Sequence, residues 1–199
     1  MPDLTSAVNA ALRGVGRPPK TAELVATYVG DGLKVLLERS LEGTPFTEET
    51  FSRTQKLFED YYEAHCMDCT SIYPDVKETL AYFASIPKAV VTNKPEGFTR
   101  KILQGLGLAG EFKVVLGGES TPFHKPRPEP LWEAARRLGT QPEETLMVGD
   151  SPVDIKAGKA ARMMTCAVSY GLTKKEILEL ERPDRIIDRF SQLKDIIQT

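Results

Sequence analysis

Two aspartates four positions apart follow a short apolar stretch in the last third of the chain. Asp150 and Asp154 come directly after residues 145–148, which have the length and composition of a buried strand, and Pro152 suits the first turn of a helix. In an open α/β sheet, ligands bind beyond the carboxyl ends of the strands. Because Mg²⁺ prefers carboxylate oxygens, this spacing favours a magnesium site, although a turn residue and a helix-start residue would look the same.

Two other predicted strands are also followed by polar residues. Thr92 and Asn93 follow Val91, and their hydroxyl and amide groups can hydrogen-bond an oxyanion. Lys125 lies in the loop after residues 112–116, where flanking prolines restrict the direction of its ammonium group. Singly, each could be an ordinary turn or surface residue. Together, after successive strands, they suit a phosphoryl group bound with Mg²⁺.

The pattern of apolar residues divides the chain into two parts. Residues 1–70 read as consecutive helices, and we expect an α-helical domain there. From residue 71 to residue 199 short apolar runs alternate with amphipathic helices, which predicts an α/β domain with a mainly parallel sheet. Its predicted strands lie at residues 88–92, 112–116, 145–148, 165–168 and 185–187.

Three acidic residues are expected at helix starts. Asp3 is predicted to cap the first helix of the chain, and Asp75 to cap the first helix of the α/β domain. Glu78 lies three positions after Asp75, which is the spacing of a capping box. The order of elements does not depend on these caps.

The composition excludes several classes of protein. The net charge of −2 gives no electrostatic footprint for nucleic acid, and no apolar run approaches the ~18 residues of a membrane span. The first residues do not resemble a secretion signal. An odd number of cysteines, three, suggests reduced thiols, so we expect a cytoplasmic protein without nucleic-acid or membrane partners.

Three segments resemble motifs of a known family. Residues 91–93, 124–130 and 148–154 are similar to the second, third and fourth motifs of haloacid dehalogenase-like hydrolases, and most similar to the phosphoglycolate phosphatase group. The resemblance covers nearly the whole chain. It implies a Rossmann-like three-layer α/β core with an α-helical cap domain, and Mg²⁺-dependent hydrolysis of a small phosphorylated metabolite such as 2-phosphoglycolate.

The resemblance also implies roles for individual residues. Thr92 and Lys125 would act in catalysis, the first by contacting the transferring phosphoryl group and the second by neutralising its charge. Asn93 and Lys94 would also contact the phosphate. In the cap, Gly30 and Gly32 would lie near the distal end of the substrate.

The metal is implied in the same way. Asp150 would ligate Mg²⁺, and Asp154 would either ligate it or orient its surroundings. A pair of metal-binding carboxylates argues against a dehalogenase, which attacks carbon without metal. A sugar phosphomutase on the same scaffold stays possible, because that difference lies in cap residues that the motifs do not identify.

One motif of the family is missing from the sequence. Members begin with a strand ending in Asp-x-Asp-Gly-Thr, whose first aspartate attacks phosphorus and whose second serves as general acid and base. No aspartate of these 199 residues is followed by another two positions later. Since that strand is the middle one of the family's sheet, we expect an open groove, unpaired backbone groups and a tendency to associate, together with either low stability or a rearranged sheet.

Three hypotheses are compatible with this departure. The first is that the natural enzyme is a phosphatase whose N-terminal segment lies outside these residues. In the second, the protein is a non-catalytic phosphate-binding or interaction protein of the same fold. The third is that a strand of a partner fills the groove by β-augmentation.

Overall fold

A computed structural model describes residues 1–43 and 46–197, and the chain divides into two compact units, Met1–Ser71 and Ile72–Thr199. The described part of the first unit is helical. Its helices are α1 (Pro2–Gly14), α2 (Ala22–Tyr28), α3 (Leu33–Leu41) and α4 (Glu48–His65).

The longest helix shows why this unit folds. Side chains three to four positions apart on α4 are buried, namely Phe51, Thr54, Phe58 and Tyr62. Such spacing places them on one face of a helix, where they can pack against other helices. At its start, the hydroxyl of Thr47 accepts a hydrogen bond from the N–H of Thr50 and so caps the helix.

Asp3 does not cap α1, so that prediction is wrong. The N-cap is Met1, and Asp3 lies in the first turn with its side chain buried. Its carboxylate accepts hydrogen bonds from the N–H of Cys69 at 2.9 Å and from the hydroxyl of Thr70 at 2.8 Å. Burial acts to raise the pKa of Asp3, but these hydrogen bonds outweigh it and the pKa is lowered. The carboxylate therefore ties the start of this unit to its end.

The second unit alternates helices and strands as expected, and all the predicted strands are present. The helix α9 was not predicted. The elements are α5 (Val76–Tyr82), β1 (Ala89–Val91), α6 (Glu96–Gly105), β2 (Val114–Leu116), α7 (Glu129–Leu138), β3 (Leu146–Gly149), α8 (Pro152–Ala160), β4 (Met164–Val168), α9 (Lys175–Leu180), β5 (Arg185–Ile187) and α10 (Leu193–Ile196).

The strands are all parallel to their neighbours, but they form two sheets. β1 pairs with β2, and β4 lies between β3 and β5. Among the residues that the structure describes, no pairing joins β1 to β3. Residues of β1 and β3 are half-buried, whereas those of β2 are buried. The predicted α/β class with parallel strands is confirmed.

The capping box at the start of α5 does not form, so this prediction is also wrong. Asp75 occupies the N-cap position with φ of +65°, and its side chain makes no capping hydrogen bond. Instead its Oδ2 accepts hydrogen bonds from Arg189 Nε at 3.2 Å and Ser191 Oγ at 2.9 Å. A tertiary contact with the last part of the chain has replaced the local cap.

Within residues 1–43 and 46–197, the helices are all too short or too polar to cross a membrane. Cys66, Cys69 and Cys166 form no disulfide bonds with one another.

The contacts of Asp3 predict an effect on stability that depends on pH. We expect Asp3→Ala to lower the free energy of unfolding by about 2 kcal/mol at pH 7, because the N–H of Cys69 and the hydroxyl of Thr70 lose a buried, charged acceptor. Since the folded-state pKa of Asp3 is lowered, its charge stabilises the fold above the unfolded pKa near 4 and ceases to do so as the pH falls through the folded value. Urea unfolding at pH 7 and pH 3 measures both effects. A difference between wild type and Asp3→Ala that does not shrink at pH 3 would contradict this.

Candidate active site

Lys125 lies at the carboxyl end of β1 and is 8% exposed. Its ammonium group donates hydrogen bonds to the carbonyl oxygen of Val91 and to Oδ1 of Asp154, both at 2.6 Å. Asp154, in the first turn of α8, is 7% exposed. The side chain of Lys125 thus connects the end of β1 to the helix that follows β3. An ammonium group has three protons, so one is left to point toward a bound anion.

Asn93 fixes the backbone of Lys125. Its Nδ2 donates to the carbonyl oxygen of Lys125 at 2.8 Å, and its Oδ1 accepts from the N–H of Lys125 at 3.0 Å. The side-chain amide therefore pairs with Lys125 as a peptide group of a neighbouring strand would. The contact of Asn93 with phosphate stays a prediction, whereas this backbone clamp was not foreseen from the sequence.

Thr92 continues the pairing of β1 with β2. Its N–H donates to the carbonyl oxygen of Leu116 at 3.0 Å, and its hydroxyl oxygen accepts from the N–H of Lys94 at 3.1 Å. Because the hydroxyl oxygen is the acceptor in this turn, its own proton is available for a bound oxyanion. The carbonyl oxygen of Lys94 in turn accepts from the N–H of Gly118 at 2.9 Å, which joins this turn to the loop after β2.

Both carboxylate oxygens of Asp154 are engaged within the protein. Oδ1 accepts from Lys125, and Oδ2 accepts from the hydroxyl of Ser151 at 2.7 Å and the N–H of Asp150 at 3.2 Å. The chain approaches closely here, since a Cβ on Gly149 would lie 2.3 Å from Cβ of Asp154. Asp154 therefore orients Lys125 and the backbone of Asp150. Its role as a direct metal ligand stays a prediction.

Asp150 is half-buried, and it has the more available carboxylate. Its Oδ2 accepts from the N–H of Leu172 at 2.9 Å, and Gly171 passes so close that a Cβ there would lie 2.2 Å from Cβ of Asp150. Oδ1 is left to bind a hard cation. With so few protein oxygens nearby, the site suits an ion that keeps several of its water ligands rather than one enclosed by protein oxygens. Among the described residues no three His, Cys, Asp or Glu side chains cluster as a metal site.

Glu96 holds together the loops that follow β1 and β2. Its carboxylate accepts hydrogen bonds from the hydroxyl of Ser120 and from Arg100 Nε, and Ser120 Oγ also accepts from the N–H of Gly117. A Cβ on Gly117 would lie 2.2 Å from the backbone nitrogen of Glu96. The hydrogen bond from Ser120 lowers the pKa of Glu96. The sequence analysis did not predict this cluster. Its one signal was the pair Gly117 and Gly118 after β2, because glycines at a strand end often mark a close approach of two backbone segments.

The structure connects the predicted site residues of the second unit through direct contacts. Asn93, which follows Thr92, binds the backbone of Lys125. Lys125 in turn binds Asp154, and Asp154 accepts a hydrogen bond from the N–H of Asp150.

Two other predicted residues belong to the first unit. Gly30 and Gly32 lie between α2 and α3 with φ of +130° and +94°, and Gly32 precedes the first residue of α3. Their role toward a substrate stays a prediction.

The buried ion pair predicts a characteristic mutant cycle. Lys125→Met alone should destabilise the protein by about 3–5 kcal/mol, because it leaves Asp154 charged and unpaired in a buried position. The double variant with Asp154→Asn, whose amide oxygen can still accept from Ser151 and the N–H of Asp150, should recover most of that loss. Urea unfolding of the four proteins measures the cycle, with Lys56→Met as a control at the exposed pair with Asp60, where we expect little change. If the stability changes of the two single variants add up to that of the double variant, Lys125 and Asp154 are not energetically coupled and the prediction is contradicted.

The clamp on Lys125 predicts a local effect that a general loss of stability would not produce. A similar clamp exists in the first unit, where Asn9 bonds both the N–H and the carbonyl oxygen of Lys20. We expect Asn93→Ala and Asn9→Ala each to cost about 2 kcal/mol of stability. Only Asn93→Ala should increase acetylation of Lys125 by acetic anhydride, measured by peptide mass spectrometry. Equal labelling of Lys125 in both variants would show that Asn93 does not position it.

Comparisons with known proteins agree on one family. The sequence model of the family "Haloacid dehalogenase-like hydrolase" matches residues 2–168. A phosphoglycolate phosphatase of Pectobacterium atrosepticum is 36% identical over 98% of this chain and 86% of its own length. One of Vibrio vulnificus is 37% identical over 99% and 90%.

A solved structure supports the same assignment. The crystal structure of a predicted phosphoglycolate phosphatase from Haemophilus somnus has a TM-score of 0.94 and 34% sequence identity. It covers 99% of this chain, which in turn spans 91% of it. The motifs, the parallel strands and these similarities lead to one conclusion: the chain belongs to the haloacid dehalogenase-like hydrolases, among the phosphatases of that family.

Proposed function

We propose that this protein is a Mg²⁺-dependent phosphomonoester hydrolase acting on a small phosphorylated metabolite such as 2-phosphoglycolate. The observation that carries the proposal is the buried Lys125, held by Val91, Asn93 and Asp154 beside Thr92 and Asp150. This arrangement places a fixed cation, a hydroxyl donor and a carboxylate at the carboxyl ends of the strands, where such sheets bind ligands. The names of the relatives support the choice of substrate.

Recognition of the phosphoryl group is assigned to Thr92 and Lys125. The hydroxyl of Thr92 donates to a phosphoryl oxygen, while the remaining ammonium proton of Lys125 meets a second oxygen. Because Asn93 and Asp154 already hold Lys125 in place, little reorganisation is needed when negative charge develops. Fixed charges of this kind stabilise the transition state more than mobile ones do.

Asp150 is assigned to Mg²⁺, and Asp154 to orienting Lys125 and the backbone at Asp150. When bound, Mg²⁺ neutralises charge on the phosphoryl oxygens. The residues fit this division of labour, because Asp150 retains a carboxylate oxygen whereas both oxygens of Asp154 are hydrogen-bonded. Asp154 forms an ion pair with the ammonium group of Lys125 from within the protein.

The attacking group has to come from outside these 199 residues in this proposal. The family's mechanism uses an Asp-x-Asp pair, which the sequence does not contain. Loss of a nucleophile reduces turnover by about 10⁶-fold in a well-studied hydrolase. Residues 1–199 are therefore expected to bind substrate and metal, and to turn over only when that carboxylate is supplied.

The helical unit is assigned to the role of a cap domain, as residues 1–70 of the sequence suggested. Caps in this family contact the part of the substrate that does not react. Gly30 and Gly32, on the turn before α3, are the residues that we assign to that contact. Positive φ at both glycines gives this turn a backbone that other residues rarely adopt.

The test separates binding from turnover. 2-Phosphoglycolate is titrated calorimetrically into the 199-residue protein in MgCl₂ and again in EDTA, and phosphate release is measured on the same samples. We expect Mg²⁺-dependent binding that Asp150→Asn weakens about tenfold or more, since one charge-assisted contact is lost. Asp195→Asn, a matched change on the exposed side of α10, should bind as the wild type does.

Binding without phosphate release is expected both for a site that awaits its nucleophile and for a non-catalytic phosphate-binding protein. Phosphate release once an Asp-x-Asp segment is joined to the chain would select the first of these, and its absence would select the second. Conversion of a sugar 1-phosphate to the 6-phosphate would favour the phosphomutase instead. Absence of binding in MgCl₂ would refute the proposed function.

A further inference from the structure

The loop between β4 and α9, residues 169–174, touches the carboxylate that is assigned to Mg²⁺. The N–H of Leu172 donates a hydrogen bond to Oδ2 of Asp150 at 2.9 Å. Beside it, the backbone of Gly171 is so near that a Cβ added there would lie 2.2 Å from Cβ and 2.4 Å from Oδ2 of Asp150. We call this segment the β4–α9 loop.

The position of the β4–α9 loop follows from the order of the strands. β4 is parallel to β3, and Ala167 lies opposite Gly149, the residue before Asp150. Because parallel neighbours end at the same edge of a sheet, the residues after β4 pass beside the residues after β3. A backbone N–H therefore reaches a side chain that lies 22 positions earlier in the sequence.

Both ends of the β4–α9 loop are fixed. The N–H of Ser169 donates to the carbonyl oxygen of Ile187 at 3.0 Å and so continues the pairing of β4 with β5. The hydroxyl of Ser169 donates to Asp188, which also accepts from Nζ of Lys175 at the start of α9. The hydrogen bond from Ser169 lowers the pKa of Asp188, so this carboxylate is charged at neutral pH.

Tyr170 anchors the middle of the β4–α9 loop. It is half-buried, and its ring centroid lies 5.0 Å from that of Tyr73. It also packs against a buried apolar cluster, which comprises Phe83, Cys166, Val168, Ile187 and Leu193. By contrast, Leu172 is 53% exposed, so its side chain contributes little to this anchoring. The loop is held by one side chain and contacts Asp150 through its backbone.

We propose that the β4–α9 loop positions the metal-binding carboxylate. Gly171 and the N–H of Leu172 hold one side of Asp150, which leaves Oδ1 for the cation, and Tyr170 keeps the loop in place. Hydrogen bonds to a ligating carboxylate orient it before the metal binds, and their loss commonly weakens metal binding. The proposal rests on the proposed function, because it takes Asp150 as the residue that binds Mg²⁺.

Gly171→Ala tests the close approach. Gly171 does not have a positive φ, so alanine is strained there by its contact with Asp150 rather than by its own backbone. We expect about tenfold weaker Mg²⁺ binding, because the added methyl group must displace the carboxylate. Gly110→Ala is the matched control, since a Cβ at Gly110 would have no atom within 4 Å, and it should bind Mg²⁺ as the wild type does.

A pair of variants at Leu172 tests the hydrogen bond. Leu172→Pro removes the N–H that Asp150 accepts, and we expect about tenfold weaker Mg²⁺ binding. Leu172→Ala is the conservative variant, because it keeps the N–H and shortens a side chain that is largely exposed. Mg²⁺ binding should therefore be retained in Leu172→Ala.

A second pair tests the anchor. Tyr170→Ala removes the ring that packs on the buried cluster and on Tyr73, which should release the loop and weaken Mg²⁺ binding. Tyr170→Phe keeps the ring, and we expect it to restore binding to the wild-type value. Tyr170 touches neither metal nor substrate in this proposal, so it acts only through the loop.

Nuclear magnetic resonance measures the contact with and without metal. The ¹⁵N-labelled 199-residue protein and each variant are titrated with MgCl₂, and the amide signals of Asp150 and Leu172 give the dissociation constant. Before MgCl₂ is added, hydrogen exchange of the Leu172 amide reports its bond to Asp150. We expect this amide to be protected in the wild type and in Tyr170→Phe, and to exchange faster in Tyr170→Ala. Urea unfolding shows that each variant is folded.

Failure of this proposal is distinguishable from failure of the proposed function. Equal Mg²⁺ affinity in the wild type, Gly171→Ala and Leu172→Pro would overturn the role of the loop and leave Asp150 as the metal ligand. The same loss in Gly171→Ala and Gly110→Ala would show a general effect of an added methyl group and would also overturn it. If the wild-type signals do not respond to MgCl₂, the assignment of Asp150 to Mg²⁺ fails, and the proposal fails with it.

Discussion

The contact on which the second unit depends is the buried ion pair between Lys125 and Asp154. A charged amine that is 8% exposed has to be paired and hydrogen-bonded, because desolvation of an isolated ion costs several kcal/mol. Lys125 meets this requirement with a carboxylate from α8 and a carbonyl oxygen from β1. The side chain of Lys125 therefore has its charge compensated and also fixes the distance between β1 and α8.

The surrounding geometry follows from that requirement. Asn93 holds the backbone of Lys125, and Gly149 leaves room for the side chain of Asp154. Ser151 and the N–H of Asp150 occupy the second oxygen of Asp154, so the aspartate cannot rotate away from the lysine without losing them. A site that is rigid before any ligand binds is better suited to stabilising charge than one that must be assembled.

The sequence was sufficient for the order of the strands and of every helix except α9, and it singled out the residues that meet around Lys125, but it did not predict their contacts. Short apolar runs ending in polar residues predicted all the strands, because a buried parallel strand needs apolar side chains on both faces. Asp3 and Asp75 were assigned to caps on local spacing, yet each binds groups far away in the sequence. The spacing of residues around a helix start carries no information about such partners.

The clamp by Asn93 and the cluster around Glu96 were missed for a related reason. An asparagine after a strand is compatible with binding a ligand, capping a turn or pairing with backbone, and only the position of the loop containing Lys125 decides among these. α9 was overlooked because its short segment combines charged residues with exposed apolar ones, such as Leu180, and shows no clear buried face. Tertiary packing, rather than periodicity, determines both features.

The two sheets and the candidate site meet at Lys125. Its ammonium group bonds to the carbonyl oxygen of Val91, the last residue of β1, and to Asp154 in the helix after β3. Among the described residues no backbone pairing joins β1 to β3. A side-chain ion pair therefore does here what backbone hydrogen bonds do elsewhere in the unit, because it holds the carboxyl ends of two strands together. The residues that follow those strands depend on this one contact for their relative positions, so a change that breaks it should disturb the candidate site before it disturbs either sheet.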